Sequence, residues 1–121
     1  MKVLVIEDHA TDRKLLSVLL ELDGHVVHER ASADGAVDAV LAFGPDVVLL
    51  DLRLPEMDGL ALVRILKANE ATRSVPIVAV TSYPEYYPRE ELLAAGCDDY
   101  VSKPIDTREL PKRLTELAGK T

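Results

Sequence analysis

The chain reads as an α/β domain built on a parallel sheet covered by helices on both faces. Short apolar runs of β character alternate with helix-like segments five times within 121 residues, which is the pattern of right-handed βαβ units. Glu7, Asp8, Asp51, Thr81 and Lys103 each stand just after, or within three residues of, one of the runs Val3-Ile6, Val47-Leu50, Ile77-Val80 and Tyr100-Val101. As neighbouring parallel strands, those runs end on one edge of the sheet, where open α/β sheets bind ligands.

Each element has its own signal. After the first strand, Leu15, Val18, Leu19 and Leu22 recur at i, i+3, i+4 and i+7 and predict an inward helical face, with Gly24 as a left-handed stop. His25-Glu29 is a weak, partly polar strand suited to a sheet edge. Ser32 is the N-cap candidate of a second helix with the stripe Ala33, Ala36, Val37, Val40 and Leu41, ended by Gly44 and Pro45. Asp46-Leu50 is the third strand and delivers Asp51; beyond Leu54-Pro55-Glu56-Met57-Asp58-Gly59, a third helix turns Leu62, Ile65 and Leu66 inward.

Pro76 opens the fourth strand, and the two prolines of Ser82-Tyr83-Pro84-Glu85-Tyr86-Tyr87-Pro88 delay a short fourth helix to Pro88. Its aromatics suit either a packed, proline-bounded loop or a partner-binding surface. Gly96 closes that helix, Asp99-Val101 is the fifth strand, and Asp106 with Glu109 forms a capping pair for the last helix. Pro111, the fifth residue after that cap, forfeits a backbone hydrogen bond and crowds the carbonyl of Thr107, which predicts a kink or a late start.

Residues 1-121 make one domain, long enough to bury roughly two-thirds of the surface of its unfolded form; no output domain is visible. With 48% apolar and 29% charged residues the composition is that of a soluble globular protein. A single cysteine, Cys97, excludes a disulfide framework and a cysteine metal site and points to a reducing compartment; following a helix-ending glycine with no basic neighbour, it is expected to be inert. The net charge of −7 leaves no basic stripe, so direct binding to nucleic acid or anionic lipid is not expected and output passes through another protein. No cationic lead, long apolar helix or cleavage signal opens the chain, and the expected location is cytoplasmic.

Glu7, Asp8 and Asp51 pose a charge problem: gathered within a few ångströms, they raise one another's pKa unless a cation intervenes. Carboxylates without thiolates or paired imidazoles suit Mg²⁺, a hard ion commonly held by one or two acids and a phosphate. An acid pair that merely caps the first helix explains Glu7-Asp8 alone, but not acids, a hydroxyl and an ammonium at the ends of several strands. His25 and His28, three apart on a strand, face opposite sides and form no simple metal pair, and His9 is expected to be solvated.

Four stretches, Val3-Leu-Val-Ile-Glu-Asp8, Asp51-Leu-Arg-Leu-Pro-Glu-Met-Asp-Gly59, Thr81-Ser82 and Gly96-Cys-Asp-Asp-Tyr-Val-Ser-Lys-Pro104, stand in order at specific spacings. Through them the whole chain resembles the receiver domain of two-component response regulators, in the single-domain form of chemotaxis regulators. The resemblance implies a flavodoxin-like sheet of five parallel strands, order 2-1-3-4-5, with five helices. It implies that Asp51 is the phosphoacceptor, receiving a phosphoryl group from a histidine kinase or a histidine phosphotransfer protein, and that the domain is a signalling phosphoacceptor rather than an enzyme. It implies Mg²⁺ on Asp8, Asp51 and the main-chain carbonyl of Arg53 with Glu7 helping through water, Lys103 as countercharge, and a cis peptide before Pro104. It further implies a switch of Thr81 and Tyr100, read by a downstream protein on the surface of the fourth helix, fifth strand and fifth helix; homodimerisation through that surface stays open. Glu7 stands where aspartate is commoner, a tolerated variant, and bulky Arg53 and Tyr83 flank the reaction centre and are expected to prolong the phosphoryl lifetime.

Rival functions fit less well. A haloacid-dehalogenase-type enzyme wants a second aspartate two residues after the nucleophile, where Arg53 stands; a flavin carrier's phosphate would be repelled by Glu7-Asp8; and the intact acid, threonine and lysine set argues against an unphosphorylated interaction module.

Overall fold

The computed structural model describes residues 1–82 and 84–119. Five parallel strands, β1 (Lys2–Ile6), β2 (Val26–Arg30), β3 (Val47–Asp51), β4 (Ile77–Thr81) and β5 (Asp99–Ser102), lie in the order β2-β1-β3-β4-β5. The helices are α1 (Ala10–Leu22), α2 (Ala36–Phe43), α3 (Gly59–Ala68), α4 (Arg89–Ala95) and α5 (Glu109–Gly119), with a 3₁₀ turn at Pro84–Tyr86. This is the flavodoxin-like arrangement expected.

Period-two alternation along the strands builds a core on each face. Val3, Val5, Val47, Leu49, Val78 and Val80 pack against Leu16 and Leu20 of α1 and Leu110 and Leu114 of α5. The alternate residues Leu4, Ile6, Val48, Leu50, Ile77 and Ala79 pack against α2, α3 and α4. β1, β3 and β4 are thus buried on both sides, whereas β2 is an edge strand with Val26 59% exposed.

Several expectations need correction. The second half of α1 is apolar on most sides, and its inward stripe is Leu16 and Leu20 with Ser17; Leu15, Val18 and Leu22 of the expected stripe face outward and Leu19 is half-buried. In α3 the buried set is Gly59, Leu60, Leu62, Val63 and Leu66, so Val63 takes the place expected of Ile65, which is exposed. α2 begins late, with Gly35 at its N-cap in a left-handed conformation (φ 71°), so Ser32 is not its cap and Leu41 faces outward. β2 runs to Arg30, and β3 and β5 extend to Asp51 and Ser102.

Other signals hold. Gly44 and Gly96 end α2 and α4 with φ of 64° and 112°, the backbone glycine adopts without steric cost. α4 is short, as expected, but begins at Arg89, so Pro88 is its N-cap rather than its first helical residue. Asp106 Oδ1 accepts from the amides of Arg108 (2.9 Å) and Glu109 (3.2 Å), and its carboxyl is held below the ordinary value by those bonds. α5 starts late, which makes Pro111 its third residue, where an amide has no intrahelical partner to lose. The peptide between Lys103 and Pro104 is cis.

Candidate functional site

Strand register assembles the site. Ile6 pairs with Leu50, so Glu7 and Asp8 emerge beside Asp51; Asp51 pairs with Val80, and Thr81 with Ser102, one residue short of Lys103. Backbone bonds carry the order past the strands: Glu7 N–H donates to the Arg30 carbonyl (3.0 Å), Leu52 N–H to Val80 (3.0 Å) and Lys103 N–H to Thr81 (2.8 Å). Acids, threonine and lysine thus meet at the carboxyl edge, as the spacing of the runs predicted.

The loop after Asp51 folds straight back over it. Arg53 pairs with Asp58 in an isolated antiparallel bridge, and Gly59 N–H donates to the Leu52 carbonyl at 2.8 Å. A Cβ on Gly59 would stand 2.5 Å from Leu52 Cα and 2.8 Å from the Asp51 oxygen, so only glycine lets α3 start this close to the nucleophile's own backbone. Asp58 caps that helix, its Oδ1 accepting from Leu60 N–H at 2.9 Å.

Asp51 and Glu7 are 5% and 1% exposed, deep enough for their charges to matter. Asp51 Oδ1 accepts from Arg53 N–H (2.9 Å) and Oδ2 lies 3.5 Å from Lys103 Nζ. The ammonium is nearer to Glu7 Oε1 (2.6 Å) and to Asp12 Oδ2 (3.0 Å). Burial pushes the Glu7 carboxyl up to about 7, and neighbouring Asp51 adds to that; Lys103 pulls it down without cancelling. Burial alone would lower the Lys103 pKa, but its bonds to Glu7 and Asp12 outweigh that and hold it above the ordinary lysine value.

Sequence reasoning missed Asp12 and Arg13. Asp12 stands one helical turn beyond Asp8, a spacing that offered a signal. Arg13 clamps the loop, donating to the carbonyls of Glu7 (2.9 Å) and Asp8 (3.4 Å). Thr81 is fully buried, and Tyr100 is half-buried against the core on the α3 side. Tyr87 packs on that core too, its hydroxyl pKa raised first by burial and then by Asp58, whereas Tyr86 is 70% exposed; the aromatic loop thus divides between packing and surface. Tyr83, expected to flank the reaction centre, lies outside the described residues. Burial pushes the Cys97 thiol up to about 11, which fits an inert cysteine.

A cavity of about 370 Å³ opens over these groups, lined by Asp8, Asp12, Asp51, Arg53 and Lys103 among others. A hard divalent cation fits it: Asp8 Oδ1 is a buried oxygen with no hydrogen-bond partner among the described residues, and single ligand atoms of Glu7, Asp8, His9 and Asp51 all lie within 4.8 Å of one another.

The model of the response regulator receiver domain matches residues 3–115. The chain belongs to the response regulator receiver family. This receiver domain is 35% identical over 117 residues to the polar-differentiation response regulator DivK of Brucella ovis, covering 97% of this chain and 95% of that one. It is 38% identical over 117 residues to the transcriptional regulatory protein PhoP of Escherichia coli, covering 97% of this chain but 52% of PhoP, so it spans about half the length of such relatives. Among solved structures it resembles the receiver domain of the sensor histidine kinase PA1611 from Pseudomonas aeruginosa PAO1, which has a magnesium ion coordinated in its active site cleft; the TM-score is 0.88 at 33% identity, over 98% of this chain and 97% of that one.

Proposed function

We propose that this receiver domain takes a phosphoryl group onto Asp51 from a phosphohistidine of a histidine kinase or histidine phosphotransfer protein. The supporting observation is the convergence of a buried aspartate, a lysine and two further acids, Asp8 and Asp12, on one cavity, with buried Glu7 bonded to the same lysine. A carboxylate oxygen of Asp51 attacks phosphorus in line; the new O–P bond forms as the P–N bond breaks, and the imidazole leaves with the electron pair. Such a transition state needs placement and countercharge more than covalent help.

Arg53 N–H fixes one Asp51 oxygen, and Lys103 stands ready to follow the charge from Asp51 to the phosphoryl oxygens. Asp8, Asp51 and the Arg53 carbonyl would hold Mg²⁺, with Glu7 assisting through water. When bound, the ion supplies countercharge to the transferring group.

Once the phosphoryl group is in place, the Thr81 hydroxyl donates to it, the loop after β4 follows, and Tyr100 moves further inward. The surface of α4, β5 and α5 carries the change to a downstream protein or a second copy. Moving such an equilibrium from 1:99 to 99:1 takes about 5.5 kcal/mol, within reach of a few charge-assisted hydrogen bonds. With Arg53 where a turnover acid would stand, the chemistry is uptake and loss of one group, not conversion of an external substrate. No helix among the described residues is long and apolar enough to cross a membrane, which accords with a cytoplasmic domain.

The test is labelling by acetyl phosphate and by a panel of histidine kinases. Mg²⁺-dependent incorporation that disappears in Asp51→Ala is expected; no incorporation from any donor would sink the reading.

A further inference from the structure

The residue after the acid pair is a histidine, and the chemistry above gives it no task. His9 occupies the N-cap of α1, where a side-chain oxygen ordinarily accepts from the first amides of the helix, yet its side chain makes no capping bond among the described residues. The ring is 72% exposed, so it turns without losing much hydration. Its backbone is nonetheless tied over the carboxylates, His9 N–H donating to Glu7 Oε2 at 3.3 Å. Nδ1 lies 3.6 Å from Asp8 Oδ1, the buried oxygen that lacks a hydrogen-bond partner among the described residues, and 3.8 Å from Glu7 Oε2.

Two neighbouring ligands of one first-row ion, each bonded at about 2.0–2.1 Å, stand about 2.8–3.0 Å apart at octahedral angles and about 3.3–3.4 Å apart at tetrahedral ones. The His9 to Asp8 spacing of 3.6 Å exceeds those separations by less than about 1 Å, which a turn of an exposed ring closes. Magnesium gains little from an imidazole, because it prefers oxygen and dehydrates reluctantly. Nickel and zinc gain a good deal, since imidazole suits them and a mixed nitrogen and oxygen set raises their affinity along the Irving–Williams order.

We propose that His9 is a nitrogen ligand of the cation site, and that the site therefore takes late first-row divalent ions well ahead of Mg²⁺. This rests on the reading of Glu7, Asp8 and Asp51 as a divalent-cation site. Its consequence is a receiver whose loaded ion depends on which metal is available. The competing account makes His9 a simple ion-pair partner of the two acids; its removal would then leave Ni²⁺ affinity undiminished.

The experiment measures Ni²⁺ and Mg²⁺ affinities of the full chain by competition with a fluorescent chelator. Every protein carries His25→Gln and His28→Gln, which removes the other imidazoles. Ni²⁺ is expected to bind at least about 10-fold more tightly than Mg²⁺, and His9→Gln to weaken Ni²⁺ by at least about 10-fold while Mg²⁺ changes by less than about twofold. Asp8→Asn should weaken both ions. An unchanged Ni²⁺ affinity in His9→Gln, with Mg²⁺ still bound, overturns the imidazole ligand alone. Ni²⁺ binding that survives Asp8→Asn marks a lone surface imidazole and overturns it as well. If neither ion binds the parent protein, the cation-site reading falls and takes this one with it.

Discussion

Lys67 and Lys103 are two partly buried lysines at opposite ends of the same strands, with side chains 19% and 16% exposed. Lys67 Nζ donates to the carbonyls of Arg73 (3.2 Å) and Val75 (3.0 Å) and to Asp98 Oδ2 (2.9 Å). Asp98 Oδ2 also accepts from Ile77 N–H at 2.8 Å, so the cluster ties the end of α3 to the beginnings of β4 and β5. An ammonium has three protons; here they meet two dipoles and one anion, and the charge closes. Lys103 meets Glu7, Asp12 and Asp51, one cation against three acids, with Asp8 close by. Glu7 partly offsets the excess by holding a proton more tightly. The first region is a finished stitch; the second stays electrostatically incomplete until a cation and a phosphoryl group arrive.

Methionine at each lysine separates the two cases. Lys103→Met should slow phosphoryl uptake on Asp51 by about 10²–10³-fold, the usual cost of removing one donor aimed at developing charge. Its melting temperature should change little, because each acid it leaves can bind a proton or a metal. Uptake within a few-fold of the parent rate, measured with acetyl phosphate, would remove Lys103 from the chemistry.

Lys67→Met should behave in the opposite way. Its stem, which runs beneath Gly96, is retained, while two carbonyls and Asp98 lose a partner. Denaturant unfolding should show a loss of about 1–3 kcal/mol with uptake unaltered. A rate that fell with the stability would mean that the stitch also shapes the site.

How much of this contrast the sequence carried depends on the range of each interaction. The five site residues were legible because each ends a strand or closely follows one, and parallel register alone brings strand ends together. The helix faces were less so. α1 offers Leu15, Leu16, Val18, Leu19, Leu20 and Leu22, two overlapping stripes, and only the docking of the helix on the sheet selects Leu16 and Leu20. Asp12 escaped notice because its partner is 91 residues away and depends on the phase of α1 above the site. Lys67, near the end of α3, carries no local signal of its role for the same reason, its acid lying 31 residues on.

The unbalanced region should also show itself in pH. Glu7 has a folded pKa of about 7 against an ordinary 4.5, so between those values the folded protein holds more protons than the unfolded chain. Without Mg²⁺, stability should therefore fall as pH rises from about 4.5 through 7. The raised pKa of Lys103 has the same tendency at higher pH: its contribution is complete below 10.5 and is lost only above that value, outside this window. Saturating Mg²⁺ should flatten the fall, because the ion then stabilises the ionised acids. Denaturant midpoints at several pH values, in chelator and in Mg²⁺, check both slopes; a midpoint that rises across the window in chelator would contradict the pairing.

The smallest expected effect probes the competition inside the Lys103 cluster. Asp12 is 44% exposed and holds the ammonium at 3.0 Å, while Asp51 lies at 3.5 Å, so an acid outside the reaction draws the cation from the nucleophile. An exposed ion pair is worth about 0.2–1 kcal/mol, which corresponds to about 1.4- to 5-fold in rate. Asp12→Asn should accelerate phosphoryl uptake within that range at low salt, and the gain should shrink as ionic strength rises. In a Lys103→Met background the same substitution should do nothing, because the shared partner is gone and the two changes lie in one network. An acceleration that persists without Lys103 would mean that Asp12 repels the incoming phosphoryl donor directly, and a slower Asp12→Asn protein would make Asp12 a support for Lys103 rather than its competitor.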